Sequence, residues 1–159
     1  MRVQALPVPI SEKGDLWALL QDYIEEMRTY DDDIERVDGV FQYQWFDHYW
    51  RENHRWPFWA IVEGTHAGFA LVRREDTGEM EMAEFYIRPN YRRDGVGLAF
   101  ARVLLSKYPG PWLISEYRAN TAAVNFWRKV IEPYAFTEEA YIGDSGKPRL
   151  LQRLNAVDR

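Results

Sequence analysis

The stretch Met80–Leu105, MEMAEFYIRPNYRRDGVGLAFARVLL, constrains the fold more than any other part of the 159-residue chain. Its first third is apolar and stops at Pro89, which has no N–H to give a sheet ladder, so it reads as a strand. A tight basic loop follows, Asn90-Tyr91-Arg92-Arg93-Asp94-Gly95-Val96-Gly97. Val96, Ala99, Phe100, Val103 and Leu104 then recur at i, i+3, i+4, i+7 and i+8, the spacing of one apolar helix face. A strand feeding a helix through such a loop points unsatisfied N–H groups and partial positive charge at whatever sits before the helix. Gly95 and Gly97 would let a ligand reach the backbone, and Arg92 and Arg93 add charge at the mouth. The physical reading is a pyrophosphate cradle. The alternative is a glycine-rich turn before a core helix.

Two related loop types are excluded. A Walker loop ends in Gly-Lys-Ser/Thr, and none is present. The dinucleotide fingerprint needs a third glycine, which is missing here. Arg92-Arg93-Asp94-Gly95-Val96-Gly97 instead matches in full the Arg/Gln-x-x-Gly-x-Gly/Ala loop of the GNAT (Gcn5-related N-acetyltransferase) superfamily, and Ile87-Arg88-Pro89 resembles the Val-x-Pro that precedes it there. Asn120-Thr121-Ala122-Ala123-Val124-Asn125-Phe126-Trp127 resembles a second signature of that family, Asn-x-x-Ala-x-x-Phe-Tyr, in the right order. The resemblance covers residues 56–155 or so, and the N-terminal part is compatible with it.

The length predicts a single domain, residues 1–159, with enough chain for a proper core. There is no Cys, which excludes a disulfide scaffold, a thiolate metal site and a Cys nucleophile. A net charge of −5 argues against sequence-independent nucleic-acid binding. No apolar run is long enough to span a membrane, and Met1–Pro7 does not read as a signal peptide, so the expected location is cytoplasmic. The three His are scattered, and no metal-ligand spacing appears.

In chain order, residues 2–8 read as a short edge strand. A helix follows, with Leu16, Leu19, Leu20, Tyr23, Ile24 and Met27 on one face and Ser11 or Asp15 as cap. A polar loop covers 30–43, and an aromatic-rich helix is predicted over 44–53. Two strands, 56–63 and 66–74, form a hairpin ahead of the organising strand. After the loop helix come a strand at 112–116, a helix at 121–131 and closing strands at 134–142 and 149–154. The fold class is α/β (α+β): a mixed, mostly antiparallel sheet of six to seven strands with helices on both faces. The resemblance implies the same architecture, the acyl-CoA N-acyltransferase fold, with a β-bulge and splayed strands.

Parity in the organising strand supports the bulge independently. Apolar residues alternate at Met80 and Met82, then resume at Phe85 and Ile87, one residue out of phase. Only an extra residue near Ala83-Glu84 restores the register. With it, Glu81 and Glu84 fall on one face, opposite Met80 and Phe85. Two carboxylates there read as groups facing a cleft; the competing reading is a solvated edge or an ion pair with Arg73 or Arg74.

The resemblance implies acetyl-CoA as cosubstrate and N-acetyl transfer to a small-molecule or peptide amine by direct attack in a ternary complex. Phe85, Tyr86, Ile87, Arg92, Arg93, Asp94, Gly95, Val96, Gly97, Leu98, Asn120, Phe126 and Trp127 are the residues expected around the cofactor. Glu84 is the first candidate for general base and Glu81 the second, the latter at the position the histone-modifying branch uses. An N–H freed by the bulge near Tyr86 or Ile87 is the candidate oxyanion donor. Trp127 departs from the family's Tyr, the usual acid toward the thiolate, and an indole N–H is no acid at neutral pH. Tyr134 and Tyr86 are the candidate replacements, and Trp127 reads equally as core. Asp31-Asp32-Asp33 with Glu25 and Glu26 would attract a cationic acceptor, or form only a solvated face. Trp45, Tyr49, Trp56 and Trp59 would stack on an acceptor or fill the core. Many relatives dimerise, so a homodimer is an open expectation. A non-catalytic acyl-CoA-binding or sensing domain is the alternative function, and a nucleotide-binding module a weaker third.

Overall fold

The structure is a computed structural model that describes residues 2–157. Seven strands form one sheet: β1 (Val3–Pro7), β2 (Arg55–Val62), β3 (Thr65–Arg74), β4 (Met80–Ile87), β5 (Gly110–Tyr117), β6 (Ala135–Ile142) and β7 (Pro148–Ala156). Three helices accompany them: α1 (Lys13–Met27), α2 (Val96–Lys107) and α3 (Thr121–Ile131). The strand order is β1-β2-β3-β4-β5-β7-β6. Every neighbouring pair is antiparallel except β4 and β5.

The sheet separates two apolar layers, as its alternating side chains require. On one face α1 lays Leu16 and Leu20 against Trp59, Phe69 and Leu71. On the other, α2 and α3 bring Phe100, Leu104, Trp127 and Ile131 against Phe58, Val72, Met82, Trp112 and Ile114.

Three expectations change. The aromatic-rich segment forms only a five-residue 3-10 helix, Phe46–Trp50, rather than a helix over 44–53. Long-range bonds hold it instead of helical continuity: Trp50 Nε1 donates to Val8 O at 3.0 Å, and Phe46 and Tyr49, three apart, both enter the core. On α2 the buried stripe is Val96, Phe100, Ala101, Leu104 and Leu105, and Val103 is 38% exposed. The helix is thus rolled from its expected orientation, with Ala101 and Leu105 facing inward in place of Ala99 and Val103. At the start of α1 no side chain caps the helix; a short 3-10 turn at Ile10–Glu12 leads in instead.

The register between β3 and β4 jumps from Leu71↔Glu84 to Val72↔Met82, so Ala83 is the extra residue of a β-bulge. Beyond it β4 leaves its parallel neighbour. The two strands pair only at Met80↔Trp112 and Glu81↔Leu113, while β5 stays paired with β7 along its whole length. A wedge therefore opens between β4 and β5, bounded by α1 on one side of the sheet and α3 on the other.

Candidate active site

The mouth of the wedge is the start of α2. Gly95 is its N-cap, in the left-handed region at φ 80°, and no side chain caps the helix. The first intrahelical bond runs from Ala99 N–H to Gly95 O at 3.0 Å, which leaves the N–H groups of Val96, Gly97 and Leu98 without helical partners. A Cβ on Gly95 would meet nothing within 4 Å, so the space over the cradle is open and the glycine is there for its φ. Gly97 differs: a Cβ there would sit 3.1 Å from the Phe126 ring. It is the close-packing point of α2 on α3.

The expected cofactor residues divide by position. Phe85, Tyr86, Ile87, Arg92, Arg93, Gly95, Gly97, Leu98, Asn120, Phe126 and Trp127 line one cavity of about 610 Å³. Val96 is buried in the core, and Asp94 is exposed outside the lining. Arg92 does not stand free at the mouth as expected. Its Nε donates to Ile87 O at 2.7 Å and its Nη2 holds the Glu26 carboxylate at 2.9 Å, so it ties α1 to the end of β4. Arg93 and Lys129, the latter not foreseen, are the cations left in the lining.

A second cavity, of about 430 Å³, continues through the wedge. Tyr23, Met27, Phe85, Asn120, Ala123 and Trp127 belong to both. Asn120 caps α3, its Oδ1 accepting from Ala123 N–H at 3.1 Å; its amide nitrogen is turned to no protein acceptor among the described residues. Trp127 is both core and wall, edge-on to Phe85 at 4.9 Å between ring centres.

Glu84 is in the lining of this second cavity. It is half-buried, and its Oε2 is buried with no hydrogen-bond partner among the described residues. Loss of water pushes its carboxyl up to about 8, against the pull of Arg149 from β7 and with a further push from Glu81. Glu81 lies on the same face, as the parity requires, yet outside the cavity lining. Arg73 binds it at 2.8 Å, which is the ion pair foreseen as its competing reading. Desolvation raises its carboxyl as well.

The wedge also frees backbone. Arg88 N–H donates to Ala67 O on β3 at 2.8 Å. Amides alternate in direction along a strand, so those of Ile87 and Phe85 point the other way, into the gap left by β5. Ile87 O, reached there by Arg92, confirms the direction.

Other foreseen residues are spent elsewhere. Tyr134 packs against the core and lines neither cavity. Tyr86 lines the first cavity and carries the Arg92 guanidinium 5.4 Å over its ring. The acidic run is partly engaged within the protein: Lys147 binds Asp32 at 2.6 Å, and buried Asp31 accepts from Tyr117 Oη at 3.1 Å. Trp45 lies under the Arg55 guanidinium, Trp59 stacks on His66 and Trp56 sits against Tyr108; Tyr49 is core. The walls of the second cavity missed in the sequence are Tyr23, Tyr43, Glu116, Tyr117 and Arg149. Only Glu116 carried a local signal: it continues the buried alternation Trp112, Ile114 at a core position.

A family model described as the acetyltransferase (GNAT) family matches residues 16–131. The chain belongs to that family. It is an acyltransferase that takes its acyl group from acyl-CoA, and its mixed seven-stranded sheet is the GNAT fold. Among solved structures, the Escherichia coli ribosomal-protein-S18-alanine N-acetyltransferase superposes with TM-score 0.67 at 13% identity, covering 99% of this chain and 96% of that one. AAC(6')-Ib in complex with paromomycin and acetyl-CoA gives TM-score 0.73 at 12% identity, covering 98% and 94%. A Bacillus subtilis acetyltransferase in complex with CoA gives 0.60 at 12% identity, covering 97% of each chain. At these identities the likeness is one of fold. A search of the curated proteins finds no match. Among the described residues, no helix of this GNAT chain is long and apolar enough to cross a membrane.

Proposed function

We propose that the protein transfers the acetyl group of acetyl-CoA to a primary amine of a small molecule or peptide, by direct attack in a ternary complex, with Glu84 as general base. The observation that carries this reading is Glu84, a carboxyl with a buried, unpartnered oxygen, in the lining of a cavity that shares walls with the one at the α2 cradle. An ammonium has no lone pair, so it must give up a proton before it attacks, and a carboxyl already raised toward neutrality is suited to take it. The N–H groups of Val96, Gly97 and Leu98 would hold the pyrophosphate, and Arg93 and Lys129 would add charge beside it. The open amides of Phe85 and Ile87 suit the oxygen on which negative charge builds. Glu84 takes the first proton from the ammonium and passes it to solvent; the amine nitrogen then bonds to the acetyl carbon, the carbon–sulfur bond breaks, and the second proton from nitrogen goes to Glu84. With no Cys in the chain, no acetyl-Cys intermediate forms.

The second cavity carries Glu35, Glu84 and Glu116 against Arg149. With Glu84 ionised, as a base must be, it and Glu35 outweigh Arg149, which favours a cationic acceptor over an acidic one. The test is release of free CoA from acetyl-CoA across a panel of small amines and peptide N-termini. Release with at least one amine, and product heavier by one acetyl group, is the expected result. Tight acetyl-CoA binding with no release on a broad panel would overturn the transfer reading in favour of a binding domain, and a preference for ATP in thermal-shift titration would overturn the cosubstrate.

A further inference from the structure

The wedge contains a second carboxyl that the base does not account for. Glu116 lies on β5 and is 5% exposed. Its parity with Trp112 and Ile114 places it on the α3 face of the sheet, the face opposite Glu84. Gln152 Nε2 donates to its Oε1 at 2.6 Å. Its Oε2 is buried with no partner among the described residues, and the residue lines the same cavity as Asn120, Ala123 and Trp127 of α3. Trp127 stands where the family resemblance puts a Tyr, and an indole cannot supply a proton.

We propose, on the footing of the acetyl-transfer reading above, that Glu116 in its protonated form donates the proton that the departing CoA thiolate needs. As the carbon–sulfur bond breaks, its electron pair stays on sulfur. The Glu116 O–H proton moves to that sulfur and leaves a carboxylate held by Gln152. Glu84 meanwhile carries the second proton from nitrogen, the first having passed to solvent when the ammonium became an amine, so the two carboxyls end with exchanged charge and each turnover releases one proton overall.

Three features favour Glu116 over the tyrosines of the cleft. Burial raises the hydroxyls of Tyr23 and Tyr43, and raises Tyr117 to about 12, which makes each a weaker acid than usual. Glu116 is raised to about 7, first by desolvation and then by Glu138 of β6; Gln152 and Arg149 of β7 and Arg128 of α3 pull it the other way. It is therefore half protonated near neutrality and acidic enough to give the proton up. Binding also sharpens the division of labour. An acceptor ammonium beside Glu84 lowers that carboxyl, while a pantetheine arm that shuts water from Glu116 raises this one, and two carboxyls pushed apart in this way make an acid and a base.

The experiment compares acetyl-CoA with its selenoester analogue, whose selenolate leaves without a proton, in the wild type and in Glu116→Gln. The variant is expected to lose roughly 100-fold in kcat on the thioester and less than about threefold on the selenoester. In the wild type alone, kcat on the thioester falls as pH rises through the Glu116 titration while the selenoester rate does not. That second comparison decides the matter even if the variant fails to fold. Equal losses on both esters, an unchanged thioester rate in the variant, or the same alkaline limb on both esters would each overturn the inference alone. A wild type that turns over neither ester ends the acetyl-transfer reading, and the inference with it.

Discussion

Glu84→Gln separates function from stability. In the folded protein the Glu84 carboxyl sits at about 8, against 4.5 for the free side chain, chiefly because burial disfavours its charge. Taken at face value that rise is about 5 kcal/mol of penalty on the ionised folded state. Water reaches the side chain through the cleft, so about half, roughly 2–3 kcal/mol, is the realistic size. The sign follows from proton linkage. Below pH 4.5 both folded and unfolded chains carry the proton, and the group contributes no penalty. Between 4.5 and about 8 the unfolded chain ionises first and stability falls as pH rises; above about 8 the penalty is complete. Gln cannot ionise, so the variant escapes this loss. Urea denaturation of the two proteins from pH 5 to pH 9 should therefore show the variant gaining on the wild type by roughly 2–3 kcal/mol across that range. Turnover should fall at least about 100-fold with acetyl-CoA affinity nearly unchanged. A stability difference that stays constant from pH 5 to pH 9 would refute the buried-charge argument, and undiminished turnover would refute the base.

Three further outcomes follow from the geometry. Arg149→Met removes the cation that pulls the Glu84 carboxyl down, so the acid limb of kcat/KM should move to higher pH; a limb that stays put would show that Arg149 does not reach the base. Gly97→Ala brings a methyl within 3.1 Å of the Phe126 ring and should weaken acetyl-CoA binding in calorimetry by displacing that wall, with a stability cost of about 1–3 kcal/mol; unchanged affinity and stability would contradict the close packing. Arg92→Met breaks the tie from Glu26 to Ile87 O and should raise KM for acetyl-CoA more than it lowers kcat; a fall confined to kcat would place Arg92 in the chemistry instead.

What could be read from the chain was what its local pattern encodes. The cradle was legible because loop, glycines and helix are contiguous in sequence, and α3 because Asn120 caps an apolar run that ends ahead of Pro133. The bulge at Ala83 was legible because a strand's period of two admits no slip without an extra residue. The second cavity was not legible in the same way. Tyr23, Tyr43, Tyr117 and Arg149 come from α1, a loop, β5 and β7, and no local period places four such segments side by side. Arg92 misled for a related reason. A charge beside a glycine loop suggests a ligand, whereas its charge is met by a carboxylate on α1 distant in sequence. The 44–53 segment has aromatic residues at helical spacing, but their anchors, such as Val8 O, lie far away in the chain.

The bulge links these observations. One extra residue turns Glu84 onto the face of Glu81 and Tyr86, withdraws β4 from β5 after Glu81, and leaves the Phe85 and Ile87 amides without a strand to bind. Each effect is unfavourable in isolation: a lost ladder costs hydrogen bonds, and a carboxyl in a poorly hydrated cleft costs solvation. The surrounding structure bears these costs through two packed layers, with Trp112 and Ile114 still fixed by the β5–β7 ladder and Trp127 closing the core beneath the gap. Strain and unmet hydrogen-bonding groups persist in a native fold only where the rest over-determines them, and they gather where chemistry is done. That the buried, unpartnered carboxyl oxygens of Glu84 and Glu116 both border this one wedge, one on each face of the sheet, is the pattern expected of a site where a proton must be taken up on one side and given back on the other.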